Sequence, residues 1–149
     1  MKKILLLLIM CLILNTGYSQ DKKIGFDSLW SFSYPDFIDI RDAIDSNLFI
    51  ASTYTERKDM VFVFNEDSSS VKTYINDSLV ESSYICEVIK NKKQVTYKTH
   101  VKYNGTICEG YFTIFYKNRW KRKIELVTGG FSEPDIANGF VCFHPHYVK

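Results

Sequence analysis

Val95-Thr96-Tyr97-Lys98-Thr99-His100-Val101-Lys102-Tyr103-Asn104-Gly105-Thr106-Ile107-Cys108-Glu109-Gly110-Tyr111-Phe112-Thr113-Ile114-Phe115-Tyr116 is the stretch that decides the fold. Val95, Tyr97, Thr99, Val101 and Tyr103 alternate with Thr96, Lys98, His100 and Lys102, the period-two pattern of a strand with one buried face. Asn104-Gly105 follows, and both residue types tolerate the positive φ that a type I′ turn needs at its two central positions. A two-residue turn there pairs Tyr103 with Thr106, Val101 with Cys108, Thr99 with Gly110, Tyr97 with Phe112 and Val95 with Ile114. The apolar residues of both strands then share one face, so pattern and turn agree on one register. The same register sets His100 opposite Glu109 on the other face.

Working outward, the C-terminal side predicts a turn at 117–119, a strand over 120–127, a break at Gly129-Gly130, a short helix from Ser132-Glu133-Pro134 to Gly139, and a last strand over 140–143. On the N-terminal side, residues 71–75, 60–64 and 48–54 read as strands, the last two joined by the charged turn 55–59. Residues 77–90 fit a helix face or a strand face; β-branched and aromatic enrichment favours strand for the second half. Residues 29–34 alternate Leu29, Ser31 and Ser33 against Trp30, Phe32 and Tyr34, a first strand with one aromatic face. From Pro35 to Asp45 the period becomes helical. Phe37, Ile40 and Ile44 lie on one side, Pro35 suits the first helical position, and acids in the first turn suit the positive end of the dipole. Residues 20–27 read as a polar lead-in. The expectation is an α+β domain, mainly an antiparallel β meander or curved sheet with one or two short helices.

Met1-Lys2-Lys3, an apolar run from Ile4 to Leu14, and Gly17 and Ser19 before Gln20 have the layout of a secretory signal peptide. The run is short of the ~20 residues a membrane span needs, and Cys11 lies inside it after bulky Met10, out of place for acylation. The reading is a signal over 1–19, bacterial in style, and one exported domain over 20–149, periplasmic or secreted, with no membrane span after cleavage. Two of the 19 Lys and Arg lie in that signal, so the remaining chain carries 17 cations against 17 acids. The formal +2 therefore belongs to targeting, which argues against nucleic acid as a partner drawn by net charge. Hydrophobic residues at 46% exclude a disordered chain, and 15% aromatics favour sheet.

Catalytic signatures are sparse. No Gly-x-Ser-x-Gly elbow and no Gly-rich phosphate loop occurs, and the acids at 36, 39, 42 and 45 recur as a solvated helix face. Lys117 to Lys123 holds five basic residues in seven, and Arg119, Trp120, Lys121, Arg122 and Lys123 are candidates for an anion site. The alternative, preferred on the sequence, is a solvated hairpin end guarding an edge strand, which would send Lys121 and Lys123 to one face and Trp120, Arg122 and Ile124 to the other. Cys142, His144 and His146 have the i, i+2, i+4 spacing of a weak metal candidate, against which Pro145 and the nearby terminus speak. His100 with Glu109 is explained as a cross-strand pair.

Three cysteines follow the signal. With 91–94 as a tight turn, Cys86 pairs with Thr99 and lies two strands from Cys108, too far for a bridge. Any disulfide would involve Cys142, and reduced, buried thiols are expected. The leading functional expectation is a small exported, non-catalytic binding or interaction module, without a cofactor, for a small apolar or anionic ligand or a protein partner. The alternatives are a small exported hydrolase assembled around His100 and Glu109 or around His144, and an inhibitor-type protein acting on a protein partner.

Overall fold

The computed structural model describes residues 21–149 except Phe37 and Arg122, and the backbone alone of Ile40. The expected signal over 1–19 lies outside the described residues, as does the Arg122 of the basic run. The regular structure consists of strands β1 (Lys22–Gly25), β2 (Ser28–Pro35), β3 (Ala51–Glu56), β4 (Met60–Asn65), β5 (Ser70–Ile75), β6 (Ser78–Lys90), β7 (Gln94–Tyr103), β8 (Thr106–Tyr116), β9 (Ile124–Glu133), β10 (Ile136–Phe143) and β11 (His146–Tyr147), with one helix, α1 (Ile40–Asp45). All strands join one open antiparallel sheet in the order β11-β1-β4-β5-β6-β7-β8-β9-β10-β2-β3. The described chain is thus mostly antiparallel sheet with one short helix of six residues, as the expected meander requires, and the α+β label is met only in part. None of the described helices is long and apolar enough to cross a membrane.

The central hairpin has the expected register: Tyr103↔Thr106, Val101↔Cys108, Thr99↔Gly110, Tyr97↔Phe112 and Val95↔Ile114. Asn104 and Gly105 turn it with φ of 46° and 83°. From β4 to β10 each strand pairs with the next in sequence, as a meander should. The meander is interrupted where 55–59 was expected to join two neighbours, because β3 pairs with β2 while β4 lies between β1 and β5. The lead-in is not merely polar: Ile24 and Phe26 are buried, and β1 completes the far side of β4.

Three further segments differ from expectation. Gly129-Gly130 does not break β9; Gly129 sits opposite Phe140 and beneath its ring, so an aromatic side chain from the next strand covers the gap that a glycine leaves. The helix expected from Ser132 to Gly139 is a hairpin turning at Pro134-Asp135, with Asp135 at φ 68°. The first helix starts at Ile40 rather than Pro35, which ends β2, and Asp39 caps it by accepting from the Arg41 amide at 2.8 Å. Its buried residue is Ala43, not Ile44, which is 41% exposed.

The sheet curls so that its concave face meets itself. Phe62 of β4 lies 5.3 Å from Phe112 of β8 and 5.6 Å from Phe140 of β10, measured between ring centroids. Ile24, Phe64, Tyr97, Ile114, Tyr116 and Val127 fill one end of the enclosed space. A smaller cluster lies on the convex face, where Ala43 of α1 covers Phe32 and Tyr34 of β2 and Ala137 of β10. The aromatic face of the first strand is therefore its outer face, and the serine face points inward. β6 is strand throughout, with bulges at 73/74 on its partner and at 85/87 within it. Its pairing with β7 begins only at Tyr84↔His100, so 78–83 pair with β5 alone and 101–103 with β8 alone. The sheet forks there.

Candidate functional site

The end of the curled sheet that the core does not fill is a cavity of about 390 Å³. Its floor is apolar: Phe62, Phe112, Phe140, Phe131 and Val101. Register explains how they meet, since Phe131 pairs across to Asn138, Phe140 to Ser31 and Val101 to Cys108, each residue on an inward position of its strand. The walls carry hydroxyls from inward positions on five strands: Ser31 and Ser33, Thr53, Thr73, Ser83 and Thr99. Thr73, Ser83 and Thr99 are buried. Asn138 adds an amide, donated to Glu133 at 2.9 Å, and Glu81 adds the one ionisable side chain of the lining, accepting from Ser83 at 3.2 Å. Glu81 and Ser83 lie on one arm of the fork and Val101 on the other. Such a lining can hold an apolar body and hydrogen-bond a polar end; it offers no cation for an anionic head.

Sequence reasoning missed these residues because inward Ser and Thr look like the polar side of an amphipathic strand. The signal was present in Thr99, which shares a face with Val95, Tyr97 and Val101, and in Ser31 and Ser33 on a regular alternation. A polar residue at an inward position needs either a partner or a wet cavity.

The basic run lies at the opposite end. Residues 117–123 form a loop closed by Lys117 N–H donating to the Lys123 carbonyl at 3.0 Å, with Lys121 at φ 57°, and β9 starts only at Ile124. The strand expected over 120–127 is thus corrected: it begins at Ile124. Trp120 is 67% exposed with the Arg119 guanidinium 4.8 Å from its ring centre, and Lys123 is exposed. Lys121 turns back over the core, its Nζ 6.0 Å from the Tyr116 ring centre. Beside it, Lys22 Nζ donates to the Tyr97 hydroxyl at 3.0 Å, which donates to Glu66 at 3.1 Å, and Lys90 pairs with the other Glu66 oxygen at 2.6 Å. Burial, with Glu66 beside it, raises the Tyr97 phenol well above its ordinary range. Burial also tends to raise Glu66, but the Lys90 and Tyr97 hydrogen bonds bring it below its ordinary value.

The remaining candidates stay apart from the cavity. His100 and Glu109 are cross-strand partners as expected, both exposed on the convex face. Cys142 is fully buried and faces inward, His144 sits in a turn at φ 54°, and His146 is exposed on β11. Among the described residues no three or more His, Cys, Asp or Glu are disposed to hold a metal ion. Cys86, Cys108 and Cys142 are all free. Cys86 sits at the bulge and is exposed, while Ile85 takes the pairing with Thr99 expected of it. No protein-family model matches the chain, and no curated protein and no solved structure matches it.

Proposed function

We propose that the protein is an exported, non-catalytic binding module that holds one small amphiphilic molecule in the cavity of its curled sheet. The observation that carries this is the composition of the lining: an aromatic floor beneath a wall of hydroxyls, with Glu81 the single charge. Small-molecule sites are concave and mostly apolar, with a few polar groups that orient the ligand, and they commonly measure roughly 300–1,000 Å³. A cavity of about 390 Å³ is at the small end of that range. The ligand class that fits is a compact, neutral or cationic molecule, its apolar part against Phe112 and Phe140 and its polar part toward Glu81 and the serines. Export rests on the N-terminal sequence pattern. Neither His100 and Glu109 nor His144 lines the cavity, so the hydrolase reading gains nothing from it.

The test uses Nile red, a neutral apolar dye, titrated against the protein with fluorescence as readout. Saturable one-to-one binding is expected in the parent, with strong loss in Val101→Trp, which fills the floor, and in Ser33→Phe, which narrows the wall. Circular dichroism confirms that each variant is folded. Unsaturable binding by the parent, or undiminished binding by both folded variants, overturns the proposal.

A further inference from the structure

At the mouth of the cavity, inward positions on neighbouring strands line up as one row. Phe62 of β4 pairs with Thr73 of β5, and Thr73 pairs with Glu81 of β6. Residues directly opposite each other in an antiparallel sheet project from the same face. A phenyl ring, a hydroxyl and a carboxylate therefore stand side by side, and all of them line the cavity. Phe62 and Thr73 are buried, whereas Glu81 is exposed. The row thus runs from the apolar floor to the solvent edge, across two strand spacings or about 9.5 Å.

Glu81 is held toward the cavity. Ser83, two residues further along the strand and on the same face, is 3% exposed, and its hydroxyl donates to Glu81 Oε1 at 3.2 Å. A carboxylate bonded to a buried, cavity-lining hydroxyl is turned inward. No cation of the protein answers it. The ion pairs among the described residues are Arg57–Asp59, Lys90–Glu66 and Lys98–Glu87, and the lining contains no Lys, Arg or His. Lys72 precedes Thr73 and Lys102 follows Val101, so strand alternation sends both to the outer face.

We propose that the cavity takes a small primary amine carried on an apolar body, with the ammonium at Glu81 and the body against Phe62, Phe112 and Phe140. This rests on the reading of the cavity as a binding site and narrows its ligand from neutral or cationic to cationic. An ammonium has three donors and no acceptor. One donor meets the Glu81 carboxylate, and the hydroxyl oxygens of Ser83 and Thr73 are neighbouring acceptors. A charge-assisted hydrogen bond is roughly twice as strong as a neutral one, and the faces of aromatic rings attract positive charge. The same carboxylate repels an anion at the mouth of a low-dielectric cleft.

The test uses 3-phenylpropylamine, 3-phenylpropan-1-ol and 3-phenylpropanoate, which share one apolar body and differ in the charge of the end group. Each is titrated calorimetrically into the protein at neutral pH and low ionic strength, where screening is least. The amine is expected to bind one-to-one and about five- to tenfold more tightly than the alcohol, and the carboxylate more weakly than either. The preference is modest because Glu81 stands at the solvent edge. Glu81→Gln, a same-sized change at an exposed position, should bring the amine to the level of the alcohol and leave alcohol and Nile red binding unchanged. Glu109→Gln, an exposed acid on the convex face, should keep the preference. An amine that binds no more tightly than the alcohol in the parent, or a full preference in folded Glu81→Gln, overturns the proposal. Either result alongside saturable Nile red binding that Val101→Trp blocks leaves the cavity reading standing, whereas absence of Nile red binding in the parent overturns both.

Discussion

Tyr97→Phe and Tyr116→Phe remove the same atom from the same residue type, and the structure gives the two changes different magnitudes. The Tyr97 hydroxyl accepts from Lys22 and donates to Glu66. Hydrogen bonds to charged groups contribute about 1.5–3 kcal/mol; these two are part-buried, so a loss of about 1–2 kcal/mol is expected. The Tyr116 hydroxyl is buried with only the neutral Tyr147 hydroxyl beside it, at poor hydrogen-bond geometry, and Tyr147 itself donates to the Lys121 carbonyl. A poorly aligned neutral bond contributes at most about 0.5 kcal/mol. The variants should therefore differ by about 1 kcal/mol, with Tyr116→Phe the more stable. At about 3–5 °C per kcal/mol for a chain of this size, their midpoints should lie about 3–5 °C apart. Urea and thermal unfolding in chloride buffer measure this, with equal urea slopes confirming that stability alone has changed. Equal losses, or the reverse order, would refute the hydrogen-bond assignment at the packed end.

Gly129→Ala would drive a methyl group into the Phe140 ring and to 2.8 Å from the Tyr111 carbonyl, so a loss of about 1–3 kcal/mol and weaker Nile red binding are expected; an unchanged midpoint would count against the packing described. In the folded state Cys86 should react with a thiol reagent at once, while Cys108 and Cys142 wait for unfolding, because both are buried and burial raises the Cys142 thiol. Mass spectrometry after timed alkylation reads this directly, and early labelling of Cys142 would contradict it. Stability should fall on the alkaline side. Burial raises Cys142, Tyr97 and Tyr116 above their ordinary 9.0 and 10.0, and burial with Tyr34 and Asp39 nearby pushes Tyr111 up to about 12. Their contribution is complete below the ordinary values and is lost as pH rises through the folded ones. Lys22, lowered by burial, works the other way but is one group against four. A flat melting temperature from about pH 8.5 to about pH 11 would exclude this linkage.

The local part of the fold was legible and the long-range part was not. Alternation and turn chemistry placed the register of the β7–β8 hairpin to the residue, because both signals act between neighbours in sequence. The Gly129-Gly130 and Pro134 signals misled because each was read as punctuation. Gly129 is tolerated inside β9 by the ring of Phe140, a residue of the neighbouring strand, and Pro134 makes a hairpin turn rather than a helix start. The placement of β1 beside β4 and of β2 beside β10 depends on closing long loops, which no local pattern reports. The cavity was hidden for the same reason. Ser31, Thr73, Ser83 and Thr99 become one wall only once the sheet has curled. The basic run was visible as a cluster in sequence, but not where its side chains would lie: Lys121 turns over the ring of Tyr116, on the preceding strand, and repels Lys22, from the other end of the chain.

The fork between 78–83 and 101–103 bears on time as well as on shape. Each arm keeps one neighbour and has one flank of backbone amides and carbonyls that the other arm does not meet. Opening of that seam breaks no ladder pairing between β6 and β7, so it belongs to the low-energy local fluctuations of a protein rather than to its unfolding. Since Glu81, Ser83 and Val101 border both the seam and the cavity, parting of the arms would widen the mouth through which a bound molecule passes. Amide hydrogen exchange at 79–83 and 101–103 should consequently outpace exchange in the paired stretch 84–90, and should slow when the cavity is occupied.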